Sequence, residues 1–65
     1  MGTVWIVEAG EDYEGGLIIG VFANREDAVE AFSAECPQPL PGRTDGSLYG
    51  HSGCDWWKLT SYEVR

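Results

Sequence analysis

Two short apolar segments flanking a polar, glycine-rich connector constrain this chain more than any other feature. Thr3-Val4-Trp5-Ile6-Val7-Glu8 and Leu17-Ile18-Ile19-Gly20-Val21-Phe22 are rich in β-branched and aromatic residues, the composition of strands. They predict strands over about 3–9 and 16–22. Between them lies Gly10-Glu11-Asp12-Tyr13-Glu14-Gly15-Gly16. That connector is longer than a two-residue turn, so it predicts a hairpin with a mobile acidic tip. Neither segment alternates cleanly between apolar and polar, so both faces of the sheet need cover.

A helix over about 25–36 follows. Asn24 can cap its first free amides, and Glu26 and Asp27 fall in the first turn, where the helix dipole favours acids. At 100° per residue, Ala28, Val29, Ala31, Phe32 and Cys36 share one side, and Glu26, Asp27, Glu30 and Ala34 fall opposite. Pro37 stops the helix, because the residue before a proline is pushed out of helical geometry. A long stretch from 37 to 55 carries Pro37, Pro39, Pro41 and several glycines. It reads as a loop laid across the open face of the sheet, with Leu40, Leu48 and Tyr49 as apolar anchors; a recognition loop is the alternative. The three prolines are a weak polyproline signal.

Trp56 to Val64 reads as a third strand, over about 56–64. A right-handed crossover places it beside the first. The expected fold class is therefore α+β: a three-stranded antiparallel sheet of order 2-1-3 with one helix on one face, in ββαβ topology. Trp56 and Trp57 must point to opposite faces of their strand. At least two of Trp5, Trp56 and Trp57 belong in the core, and the remaining face is covered by the loop, a second copy or a partner.

The first half of the chain resembles a small strand-strand-helix-strand domain carried by bacteria and their phages. The residues that carry the likeness are Val4–Glu8, Glu11–Gly16, Ile19–Phe22 and Asn24–Ala28, with Ser61–Val64 similar to its closing strand. That domain has no assigned activity to transfer, so the resemblance implies a fold only.

Charge narrows the function. The net charge is −7, and it resides in residues 1–35. Glu8, Glu11, Asp12, Glu14, Glu26, Asp27, Glu30 and Glu35 face Arg25 alone there, whereas Asp45, Asp55 and Glu63 balance Arg43, Lys58 and Arg65. A negative field repels nucleic acid and anionic membrane and attracts cationic partners. The same acidity also serves solubility. In size, acidity and single-domain build the chain is similar to the anti-CRISPR proteins that phages use against host surveillance complexes. This likeness implies a CRISPR surveillance complex as partner and the host cytoplasm as location.

At 65 residues the chain forms one small domain, residues 1–65, burying only about 60% of its unfolded surface. That leaves no room for a deep catalytic cavity, and no catalytic motif is present. No apolar run approaches the ~18 residues of a membrane span, and no basic leader precedes one. Cys36 and Cys54 flank the long loop. A disulfide between them would contribute about 3 kcal/mol, but without a secretion signal two free thiols are favoured. His51, Cys54 and Cys36 lack the two tight pairs of a structural zinc site and the sheltered pocket of an activated thiol.

These features predict a non-enzymatic protein without cofactor or metal, a monomer or weak dimer. Its expected partner is a basic nucleic-acid-binding host protein, and Glu11, Asp12, Glu14, Glu26, Asp27 and Glu30 are its expected contacts. Glu26 and Glu30 are one helical turn apart, about 6 Å along the axis. Duplex DNA presents a phosphate every ~3.4 Å per strand, so acids on a helix and a hairpin tip can match several phosphates. The alternatives are dimerisation through the aromatic sheet face, or a thiol or metal protein built on Cys36, His51 and Cys54.

Overall fold

A computed structural model describes residues 2–36, 44 and 46–64. Strands β1 (Gly2–Glu11) and β2 (Gly15–Phe22) form the expected hairpin. Helix α1 (Arg25–Glu35) follows, then β3 (Leu48–Ser52) and β4 (Asp55–Val64). All pairings are antiparallel, in the order β2-β1-β4-β3. The sheet therefore has four strands rather than three. The strand expected last in sequence is β4, and it lies beside β1. The extra strand, β3, comes from the middle of the supposed loop.

Its origin is local. Gly53 has φ 61°, the left-handed geometry that glycine supplies at the first central position of a two-residue hairpin turn. Ser52 and Asp55 then face each other as a pair. The segment around Leu48 and Tyr49 is thus an edge strand and does not lie across the open face. Leu48 is half-buried against the core on the helix side, and Tyr49 lies on the opposite face beside Lys58. Leu40 and the three prolines lie outside the described residues.

β1 and β4 pair in one unbroken register from Gly2–Val64 to Glu11–Asp55. These ten-residue strands set the 37 Å long axis. In the β1–β2 pairing, Val7 faces Gly20 but Glu8 faces Ile18, which leaves Ile19 as an extra residue. This bulge shifts the alternation by one, so Leu17 and Phe22 share the helix side despite their odd spacing. It explains why the apolar pattern of β2 does not alternate.

Asn24 is the helix N-cap. Its Oδ1 accepts from the Asp27 amide at 3.0 Å, and its Nδ2 donates to Asp27 Oδ2 at 3.1 Å, which holds the cap side chain in place. At the other end the Cys36 amide donates to the Phe32 carbonyl. Ala28, Phe32 and Cys36 are buried from the helix, against Val7 and Leu59 from the sheet. Trp5, Phe22, Val29, Leu48 and Trp57 close around them. Phe32 and Leu59 are each fully buried, worth about 1.5–3 kcal/mol apiece, so this small cluster carries much of the fold.

The second face of the sheet is different. Among the described residues no element packs over it, and Ile18, Val21 and Tyr62 are exposed there. Trp56 lies on this side and Trp57 on the core side. The Trp56 ring lies over Gly10 and Gly16: a Cβ built at either glycine would come within 2.6 Å of the indole. Glycine is required at both positions for that approach, and the tryptophan replaces the packing the two glycines lack.

Candidate binding surface

The two hairpin turns meet at one end of the sheet. The Asp12 amide donates to the Cys54 carbonyl at 2.8 Å, joining the β1–β2 tip to the β3–β4 turn. The Asp12 carboxylate lies 3.1 Å from His51 Nε2. Glu14 N–H closes the tip on the Glu11 carbonyl at 3.2 Å. These contacts join the tip to the second hairpin, and His51 sits on β3 rather than in a loop.

This anchoring collects acids. Glu11 and Asp55 are direct cross-strand partners, a like-charge pairing that costs stability. Asp12 and Glu14 lie just beyond them. An open groove of about 460 Å³ runs along Glu11, Glu14, Gly16 and Leu17. Asp55 belongs to the charge-balanced half of the sequence, and only the β1–β4 register reveals its place in this group.

The helix acids are elsewhere. Glu26, Asp27 and Glu30 are exposed and lie near the opposite end of β2, where the chain turns from Phe22 into the helix. Eight residues of strand put the two acidic groups roughly 23 Å apart. The structure brings Glu11, Asp12 and Glu14 together and Glu26, Asp27 and Glu30 together, but not the two sets. Asp12 and Asp27 also serve the fold, as tip anchor and capping partner. Glu11, Glu14, Glu26 and Glu30 project from it.

The described cations each lie against an aromatic ring. Arg25 Nε donates to the Gly46 carbonyl at 3.1 Å, and its guanidinium lies 5.8 Å from the Trp5 ring centre. Lys58 Nζ is 3.8 Å from Glu8 Oε2 and 5.7 Å from the Trp56 ring centre. Each spreads its charge over an aromatic face. The described surface is thus dominated by carboxylates.

Cys36 is buried and Cys54 is exposed in the β3–β4 turn, both as free thiols. Among the described residues, no cluster of three or more His, Cys, Asp or Glu side chains is placed to hold a metal ion, and no helix is long and apolar enough to cross a membrane. No protein-family model, curated protein or solved structure matches the chain. Function therefore rests on the surface itself.

Proposed function

We propose that this chain is a non-enzymatic inhibitor that occupies a basic nucleic-acid groove on another protein, its carboxylates standing in for backbone phosphates. The observation that carries this reading is the pairing of Glu11 with Asp55 across β1 and β4, with Asp12 and Glu14 adjacent. A fold that places like charges face to face gives up stability, and a cationic partner relieves that repulsion on binding. Among the described residues ten carboxylates stand against Arg25 and Lys58, so the field around the described surface is strongly negative. The separation of the two acidic groups, roughly 23 Å, spans about six or seven phosphate steps of one DNA strand.

The reading is tested by immobilising the chain and capturing proteins from a bacterial lysate at low and high salt. Nucleic-acid-binding proteins should be retained at low salt and released as salt screens the attraction. Capture that is indifferent to salt contradicts it. A second reading, self-association through the uncovered sheet face, is favoured by the exposure of Ile18, Val21 and Tyr62 on that face. Sedimentation showing a dimer that Tyr62→Lys dissociates would select it.

A further inference from the structure

Strand β2 is the last strand on its side of the sheet, and no described strand pairs with its outer edge. Edge strands are normally protected by lysine, proline, an inward charge or very short length. β2 is eight residues long and contains neither a charged residue nor a proline. Its one protective device is the bulge at Ile19. Leu17 is 80% exposed and Val21 57%, so the edge is open to an incoming chain.

What flanks this edge is acidic at both ends. Near Gly15 the groove carries Glu11 and Glu14 beside Leu17. Near Phe22 a second groove, about 390 Å³, carries Asp27 and Glu30 over an apolar floor of Phe22, Ala31 and Ala34. Each pairs an apolar wall with two carboxylates. That combination suits a lysine or arginine side chain, whose aliphatic stem packs while its cation stays at the rim.

We infer that β2 accepts an extended basic segment of a partner protein as a fifth strand, with cationic side chains seated in the two grooves. Main-chain hydrogen bonds along the edge give affinity, and the grooves select side chains on one face of the added strand. Leu17 and Phe22 both lie on the helix side and the strand runs roughly 17 Å between them, so the two cations belong on the same face, about four or six residues apart. A second copy of this chain is a poorer occupant. Antiparallel pairing of two β2 strands about a two-fold axis puts both helices on one face of the joined sheet. The Asp27 and Glu30 end of each copy then meets the Glu11 and Glu14 end of the other, and like-charge contacts of this kind oppose binding.

The inference rests on the proposal of a basic partner and adds how that partner docks. The probe is a dye-labelled valine- and threonine-rich decapeptide with two lysines four residues apart, titrated into the full chain and followed by anisotropy and by amide exchange. Binding should slow exchange of the outward β2 amides. A peptide with its lysines five residues apart, and so on opposite faces, should bind more weakly, and one with glutamates should not bind. Glu30→Lys should weaken the lysine peptide by about tenfold or more, whereas Glu63→Lys, with the same change in net charge, should leave it unchanged. Glu30 is exposed on the helix, so the variant folds; the unchanged exchange pattern of the core amides of Val7 and Leu59 verifies this. Binding that leaves β2 exchange unaltered and protects the hairpin tip overturns strand addition while sparing the basic-partner proposal. No binding of the lysine peptide anywhere counts against both. Protection of β2 that depends on the concentration of the chain alone overturns the inference in favour of a second copy.

Discussion

Asp12 binds His51 across the sheet end, carboxylate to Nε2 at 3.1 Å, while its own amide donates to Cys54. One residue of the first hairpin thus fastens the turn of the second. Both side chains are partly exposed, so the contact is worth about 0–1 kcal/mol, but it fixes the position of the neighbouring acids.

Asp12→Ala is therefore expected to lower stability by less than about 1 kcal/mol while speeding amide exchange in residues 12–14 and 53–54. Asp12→Asn retains an acceptor and should do less. A tip whose exchange is identical in wild type and Asp12→Ala would show that the contact does not order it.

Gly16 lies under the Trp56 ring. Gly16→Val should displace the indole, shift its fluorescence towards that of solvated tryptophan, and cost about 1–3 kcal/mol in urea unfolding, as overpacking does. Gly2, where an added Cβ meets nothing, is the control: Gly2→Ala should change neither.

Much of this architecture is legible in the sequence because it is local. The Asn24 cap, the helix face of Ala28, Phe32 and Cys36, and the opening hairpin all follow from spacing within a few residues. β3 was hidden because Gly46, Gly50 and Gly53 read as a loop composition. In the fold they do separate tasks: Gly53 makes the turn, and Gly50 is buried opposite Trp57. The acids were legible as residues but not as a surface. Asp55 joins Glu11 through a pairing forty-odd positions apart in sequence, and the helix acids end up at the other end of β2. The Ile19 bulge, which alters the faces of β2, leaves only an imperfect alternation as its trace.

Glu11 and Asp55 offer a separable test of function against stability. Asp55→Asn should stabilise the fold by a few tenths of a kcal/mol, roughly the size of one cross-strand pair, and at the same time weaken capture of a basic partner. Loss of stability together with unchanged capture would mean that the pairing serves the fold.

Competition with nucleic acid tests the central claim most directly. A nucleic-acid-binding protein captured by the immobilised chain is challenged with duplex DNA. The chain carrying both Glu11→Lys and Glu14→Lys, or both Glu26→Lys and Glu30→Lys, is examined alongside. Phosphate mimicry predicts that DNA releases the partner, that free chain releases DNA from the partner, and that either double reversal abolishes capture while circular dichroism stays native. A ternary complex, in which the partner holds DNA and this chain together with undiminished affinity for each, would contradict the account.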